Sequence, residues 1–267
     1  MVLGVVITDI VVVQRLADCI WVGLDTVHNE PHITYVARIL FALRLGIDKL
    51  GSYYMSLKPG GTLPLESRYF PSITAYPNDD GLINFKYIGY LENGLDCVTL
   101  RARTCAEPTR DIVVKFVDRY GERAHRLLAN MGLAPELLYY GSPCLGEGQP
   151  SYRSLFMVVM EYIDGQTLAT AKENMDREVT ERVQSEVNRA LGLLHSSGLV
   201  FGDLRSPNIM VKGTGEVKLI DFNWSGEQGQ VKYPYLISKD IRWPEGVEAL
   251  AIIKYNHDLD MFKQLFS

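Results

Sequence analysis

The chain has 267 residues, 47% of them hydrophobic, and a formal net charge of −5 at pH 7. This length and hydrophobic content are enough for one buried core with an extension, and the acidic balance argues against binding to nucleic acid or to an anionic membrane surface. The four cysteines have no Cys-x-x-Cys spacing and the five histidines suggest no metal set, so reduced thiols in the cytoplasm or the nucleus are expected.

Residues 1–68 are expected to form an N-terminal helical extension that ends in a linker. Residues 1–13 are apolar, but they lack a basic start and are too short to span a bilayer, so a buried segment is favoured over an export signal. Apolar residues recur at helical spacing over residues 33–54, and residues 11–24 are predicted to form a second helix. The Pro- and Gly-rich residues 58–64 predict a linker. The apolar helical face would pack on the rest of the chain or on a protein partner.

A second domain, residues 69–267, is predicted to begin with strands. Residues 69–76 predict a strand, and residues 85–91 and 97–102 predict a hairpin around an Asn-Gly turn. Residues 112–117 read Ile-Val-Val-Lys-Phe-Val, a β-branched strand with Lys115 in its middle. A lysine in such a run is costly unless its amine is paired or faces a ligand. Taken alone, an exposed lysine on an edge strand is the simpler interpretation.

Helices are predicted over residues 120–131 and 182–195, with a strand and turn over residues 155–168 between them. Glu122 is the one carboxylate between Asp118 and Glu136, and it would stabilise the positive end of the first helix. His195 lies near the end of the second helix, where a capping or core role is expected.

Three oxygen-bearing side chains follow in one short segment. Asp203, Asn208 and Asp221 flank two apolar runs, residues 209–212 and 217–220, joined by a Gly-Thr-Gly turn. These runs predict a hairpin, which would place Asn208 and Asp221 side by side. A carboxylate that accepts a hydroxyl proton and oxygen ligands for Mg²⁺ are what phosphoryl transfer from ATP requires. Taken singly, each residue is equally an ordinary turn former.

This segment resembles the catalytic and metal-binding loops of the protein-kinase-like superfamily, His-Arg-Asp-x-x-x-x-Asn followed by Asp-Phe-Gly. Phe201-Gly202 stands in place of His-Arg, which is more like the aminoglycoside and choline kinase branch, and Asn223 replaces the last glycine. The resemblance covers about residues 84–225. Residues 111–141 and the Asp-Phe-Asn-Trp-Ser-Gly at 221–226 resemble compact kinase-like proteins abundant in fungi, and so do the Tyr-Pro at 233–234 and the Trp-Pro-Glu-Gly at 243–246.

The resemblance implies an α+β, two-lobed kinase-like fold with an N-lobe of about residues 69–160 and a small C-lobe of about residues 161–267. It also implies a nucleotide site. The expected roles are phosphate contact by Lys115, a Lys115 pair with Glu122, phosphate cover by Gly89 and Gly94, a gatekeeper at Met160, adenine contact by the backbone of Glu161 and Ile163, a catalytic base at Asp203, a phosphate-facing cation at Arg205, and Mg²⁺ ligands at Asn208 and Asp221. The covering hairpin lacks the Gly-x-Gly-x-x-Gly pattern. For residues 155–168, a core strand that ends in a turn is an alternative compatible with the adenine role.

The expected function is an ATP- and Mg²⁺-dependent phosphotransferase. A Ser/Thr protein acceptor is preferred over a small-molecule alcohol. The alternative is a pseudokinase that binds or scaffolds without transfer, which Asn223 and the glycine-poor hairpin favour. The active phosphotransferase is favoured by the joint presence of Lys115, Asp203, Asn208 and Asp221.

Overall fold

A computed structural model describes residues 2–7, 11–17, 30–56, 70–91, 99–143, 155–213 and 215–266. The chain divides into two compact units, residues 1–70 with 94–97 and residues 71–93 with 98–267. The predicted linker at residues 58–64, the boundary at residue 68 and the Asn-Gly turn at residues 93–94 lie outside the described residues.

The N-terminal unit contains a hairpin and a helix. Strands β1 (Val2–Ile7) and β2 (Val11–Ala17) pair antiparallel. The helix predicted over residues 11–24 is therefore wrong in its described part, because the Val-Val-Val run restricts χ1 and favours a strand. Helix α1 (Glu30–Ser56) confirms the helix predicted over residues 33–54. Among the described residues, no helix combines the length and apolar composition that a membrane span needs.

The second unit begins with a six-stranded antiparallel sheet in the order β3-β4-β5-β6-β8-β7. Its strands are β3 (Ala75–Asn78), β4 (Gly81–Tyr90), β5 (Thr99–Thr104), β6 (Asp111–Val117), β7 (Leu137–Gly141) and β8 (Phe156–Glu161). The predicted strands are confirmed, except that the first starts at Ala75 and not at residue 69. Pro71, which has no N–H for a strand ladder, lies in the part that does not pair.

Helix α2 (Glu122–Asn130) follows β6 and confirms the helix predicted there. It ends where Gly132 adopts a φ of +74°, a left-handed conformation that favours glycine. Ala124, His125 and Leu128 form its buried side. The helix packs against β7, the helix over residues 177–196 and the segment that follows Asp221, so it lies between the two lobes.

The C-lobe is built on helix α4 (Arg177–Ser196), whose N-terminus is capped by Asp176 accepting from the N–H of Val179 at 2.8 Å. The predicted apolar face of α4 is buried at Val183, Val187 and Leu191. The remaining elements are β9 (Gln166–Thr167), α3 (Leu168–Ala171), β10 (Leu199–Val200), β11 (Ile209–Lys212), β12 (Glu216–Leu219), β13 (Gly226–Glu227) and α5 (Tyr255–Leu265). The predicted α+β, two-lobed architecture is confirmed.

Candidate active site

The β11–β12 hairpin brings Asn208 and Asp221 together. Ile209 lies opposite Leu219 in the antiparallel register, and the N–H of Ile220 donates to the carbonyl of Asn208 at 3.0 Å. Asn208 directly precedes β11 and Asp221 follows β12 at the same end of the hairpin, so the two residues lie side by side, as the sequence predicts.

Asp203 lies in the loop before this hairpin and is only 4% exposed. Its Oδ2 accepts from Arg205 Nη2 at 2.6 Å and from Asn208 Nδ2 at 2.9 Å. Asn208 Nδ2 also donates to the backbone carbonyl of Asp203 at 2.9 Å. The carboxylate is thus held in one orientation by two side chains of its own loop, which suits a group that must meet a substrate proton.

The loop is anchored from α5 by Asp258, a residue that the sequence analysis missed. Its carboxylate is 1% exposed and accepts the N–H groups of Phe201 and Gly202, each at 2.8 Å. His195 Nε2 lies 3.0 Å from Asp258 Oδ2, so the histidine in the last turn of α4 contacts this carboxylate. The sequence of α5 also carries Asn256, Asp260 and Lys263, so nothing local distinguishes Asp258 from an exposed aspartate.

Gly202 explains why a glycine precedes Asp203. Its φ is +86°, and a Cβ at this position would stand 3.0 Å from both Ile253 Cδ1 and the carbonyl oxygen of Trp224. A larger residue would be strained by the dihedral and by the backbone of Trp224. The departure from His-Arg-Asp is therefore a requirement of this backbone.

Lys115 reaches from the middle of β6 to Asp221. Its Nζ lies 2.7 Å from Asp221 Oδ1, with the lysine side chain 14% exposed. The predicted pair between Lys115 and Glu122 is wrong, because Glu122 accepts from Arg126 one turn along α2, at 2.9 Å. An i,i+4 partner on the same helix is within easy reach of a first-turn glutamate. The strand lysine is thus paired, but with the candidate metal ligand.

Asp221 has a left-handed backbone, with a φ of 64°. Asn223, which stands where the family has glycine, has no positive φ, since among the described non-glycine residues only Asp221 and Leu250 have one. Such a conformation costs of the order of 1–3 kcal/mol and persists where the surroundings hold it, often at functional sites.

Phe222, directly after Asp221, is fully buried between two aromatic rings. The His125 ring stacks on it with centroids 4.5 Å apart and planes 5° apart, and Phe201 meets it edge-on at 5.4 Å. The sequence analysis named neither His125 nor Phe201 as a site residue. These contacts join α2 and the Asp203 loop to the residue beside Asp221.

The remaining predicted site residues stay predictions. Met160 is buried on β8, where it lies opposite Val113 of β6, and Val113 is two positions from Lys115. Glu161 is the last residue of β8. Ile163 follows within the turn and is buried. Gly89 lies on β4 with open space where a Cβ would be, whereas Gly94 lies outside the described residues.

The residues present fit a divalent cation. The amide nitrogen of Asn208 is used by Asp203, which leaves its oxygen available beside Asp221. Within the described ranges, no three or more His, Cys, Asp or Glu side chains cluster as a metal site. An ion here would take its other ligands from phosphate and water, which is typical of Mg²⁺.

Comparisons with known proteins find similarity to protein kinases. A family model for the protein kinase domain matches residues 149–262. The chain is 29% identical over 183 residues to the serine/threonine-protein kinase PAK mbt of Drosophila melanogaster, a match covering 63% of this chain and 28% of that protein. It is 29% identical over 236 residues to a probable bifunctional tRNA threonylcarbamoyladenosine biosynthesis protein of Methanospirillum hungatei, covering 82% of this chain and 41% of that protein.

A solved structure shares the fold. The kinase PK-1 of the Cydia pomonella granulovirus superposes with a TM-score of 0.50 and 14% identity, covering 68% of each chain. Since the chain spans less than half the length of the two curated relatives above, they support the kinase-like unit and not the whole of either relative's activity.

Proposed function

Because the chain belongs to the protein-kinase-like superfamily, we propose that it is an ATP- and Mg²⁺-dependent phosphotransferase that moves the γ-phosphoryl group to a hydroxyl. The observation that carries the proposal is the convergence of four side chains from two lobes. Lys115 meets Asp221 at 2.7 Å, and Asn208, beside Asp221, meets Asp203 at 2.9 Å. This set matches the positioning and charge stabilisation that phosphoryl transfer needs.

Each residue has a task in such a reaction. Asp203 accepts the proton of the attacking hydroxyl, whose oxygen bonds to the γ-phosphorus as the bond to the β–γ bridging oxygen breaks and ADP leaves. Arg205, expected to face the phosphates, fixes the Asp203 carboxylate through a two-pronged contact. Lys115 places one positive charge against the phosphates, and its nearness to Asp221 keeps that charge beside the metal ligands.

Asn208 and Asp221 would hold the Mg²⁺, which when bound neutralises phosphate charge. The left-handed Asp221 is kept in place by its Lys115 contact and by the hydrogen bond from Ile220 to Asn208. Both ligands therefore lie on backbone that is fixed before nucleotide arrives, which lowers the cost of aligning the phosphates.

We prefer a serine or threonine side chain of a protein as the acceptor, supported by the serine/threonine-protein kinases among the relatives. A small-molecule alcohol is the second choice. The apolar spacing along α1 also supports a protein partner for the N-terminal unit. The rival function is a pseudokinase, which is supported by Asn223 in the position where kinases carry glycine and by the glycine-poor hairpin.

The test is nucleotide binding followed by transfer. ATP should raise the melting temperature with Mg²⁺ or Mn²⁺ and not with EDTA, and ATP at 100 times its Kd should stabilise the fold by about 2.7 kcal/mol. Radiolabelled γ-phosphate should then appear on a generic protein acceptor or on the protein itself. Binding without transfer to proteins or small alcohols would establish the pseudokinase, and an absence of binding with either metal would reject the nucleotide.

A further inference from the structure

We infer that Tyr120 and His125 position Asp221 for its metal, and so link α2 to the site in the absence of the expected Lys115–Glu122 ion pair. The inference rests on the proposed function. Glu122 is turned to Arg126, so α2 sends no carboxylate to Lys115. What α2 does send toward the metal-binding loop is a neutral, fully buried imidazole.

The tautomer of His125 follows from its two neighbours. Nε2 lies 2.8 Å from the carbonyl oxygen of Pro135, which can only accept, so Nε2 carries the proton. Nδ1 is then an acceptor, and the Tyr120 hydroxyl, 2.7 Å away, must donate to it. Burial lowers the pKa of His125 to about 4, consistent with a neutral ring at pH 7. Both ring nitrogens are satisfied, so the plane of the imidazole is fixed.

That fixed plane determines where Phe222 lies. The two rings are almost parallel, 5° apart, with centroids separated by 4.5 Å. The carbonyl of Phe222 accepts from the N–H of Gly121, one residue after Tyr120. A Cβ on Gly121 would stand only 2.5 Å from Ser225 Cβ, so the backbone around Tyr120 touches the segment after Asp221 directly. Phe222 is therefore held by side chain and main chain of one short stretch.

Tyr120 also packs on Phe222, and the charge of Asp221 acts on its hydroxyl. Burial, followed by the negative charge of Asp221, raises the pKa of Tyr120 well above its usual value. Its ring meets the edge of Phe222 at 6.3 Å. Because Asp221 holds a costly left-handed backbone, a small loosening of Phe222 would let the carboxylate leave its metal-binding orientation.

The arrangement couples α2 to the metal site without charge. Lys115 keeps Asp221 as its carboxylate partner, so no glutamate competes for its amine when phosphate arrives. Removing the Tyr120 hydroxyl should therefore weaken Mg²⁺ binding more than it weakens the contacts with the adenine or the phosphates.

The experiment compares Tyr120→Phe with Tyr139→Phe. Tyr139 is a matched control, since its hydroxyl also donates one hydrogen bond, to the carbonyl of Ser142 at 2.8 Å, on the outer strand β7. ATP affinity is measured at a series of Mg²⁺ concentrations. The temperature is kept well below the melting temperature. Loss of one buried hydrogen bond is worth about 0.5–1.5 kcal/mol, so the Mg²⁺ concentration for half-maximal ATP binding should rise roughly two- to tenfold in Tyr120→Phe and stay unchanged in Tyr139→Phe.

A second measurement needs no nucleotide. Nitrogen-15 NMR of the imidazoles should show His125 protonated at Nε2 in the wild type, with an Nδ1 shift that changes in Tyr120→Phe but not in Tyr139→Phe. If the wild type binds ATP with Mg²⁺ and both variants require the same Mg²⁺ concentration, the inference is overturned while the proposed function stands. A His125 protonated at Nδ1 has the same consequence. A wild type that fails to bind ATP with metal overturns the proposed function first, and the inference with it.

Discussion

The carboxylate of Asp258 accepts the backbone N–H of Gly202 at 2.8 Å across 56 positions of sequence. A second bond of the same length from the N–H of Phe201 fixes the two residues that lead into Asp203. Helix α5 therefore fixes the backbone that leads into the candidate catalytic base, Asp203.

Asp258→Asn should destabilise the protein by about 3 kcal/mol. In the wild type the donors share two carboxylate oxygens, whereas the asparagine amide has one acceptor oxygen. The N–H groups of the amide would also face those donors in a buried site. Urea unfolding measures the change. The matched control is Asp260→Asn on the same helix, whose exposed partner Lys263 lies 2.8 Å away and whose loss should cost under about 1 kcal/mol. Equal effects of the two substitutions would show that Asp258 does not anchor the loop.

Gly202→Ala should destabilise the protein more than Gly198→Ala. Both glycines have a positive φ, +86° and +76°, so both substitutions incur the left-handed penalty of about 1–2 kcal/mol. Gly198 has open space where the Cβ would go, whereas at Gly202 the carbonyl of Trp224 stands 3.0 Å away. The difference between the two unfolding free energies isolates the clash. If the two were equal, close packing would not be the reason for glycine before Asp203.

The hairpin that joins Asn208 to Asp221 could be predicted because all of its determinants are local. Two short β-branched runs and a glycine-rich turn fix the pairing, and the register then places the two side chains. Asp258 could not be placed in this way, since its partners lie 56 and 57 positions away with no periodic pattern between them. Long-range hydrogen bonds leave no spacing in a sequence.

Two local predictions failed where competing local preferences were close. Residues 11–17 carry apolar side chains that suit either a helix or a strand, and the β-branched valines decide for the strand. Glu122 could have faced Lys115 or Arg126, and spacing from Lys115 does not show which way a first-turn side chain points. The first outcome depends on local backbone preference, and the second depends on which partner lies nearer in three dimensions.

Glu122→Gln should leave ATP turnover within about twofold of the wild type, because the Glu122–Arg126 contact is a half-exposed i,i+4 pair worth about 0.3–0.5 kcal/mol. Lys115→Met, by contrast, removes the cation beside Asp221 and should abolish measurable turnover. Steady-state kinetics on both variants provides the check. A loss of tenfold or more in Glu122→Gln would mean that α2 turns this carboxylate to Lys115 when nucleotide is bound.

Stability should rise with pH between about 4 and 6.5. Burial lowers the pKa of His125 from 6.5 to about 4, so in this window the unfolded chain binds more protons than the folded one and the unfolding free energy increases with pH. The full contribution is roughly 3 kcal/mol, present above pH 6.5 and lost toward pH 4. Burial also lowers the pKa of His257, so part of the slope belongs to that residue.

His125→Gln tests this assignment, because glutamine does not titrate and can still donate to the carbonyl of Pro135. Urea unfolding from pH 4 to pH 8 should show a clearly shallower slope in the variant. Arg103 and Arg101 lower the pKa of Asp111 from its usual 3.8 to about 2. Protonation of this carboxylate therefore lowers stability only at more acidic pH, from 3.8 down to about 2. An unchanged slope in His125→Gln would assign the proton uptake elsewhere.

Asp203→Asn separates an enzyme from a nucleotide-binding scaffold. Asp203 is held by Arg205 and Asn208 and is assigned to the acceptor hydroxyl rather than to the nucleotide, so the variant should retain the ATP-induced rise in melting temperature with Mg²⁺. Loss of a general base should lower transfer by about 10²- to 10⁴-fold. Asp221→Asn should impair both measurements, since it removes a charged metal ligand and the partner of Lys115. If Asp203→Asn transferred phosphate at the wild-type rate, the proton would go to another group and the role of this loop as the catalytic centre would be rejected.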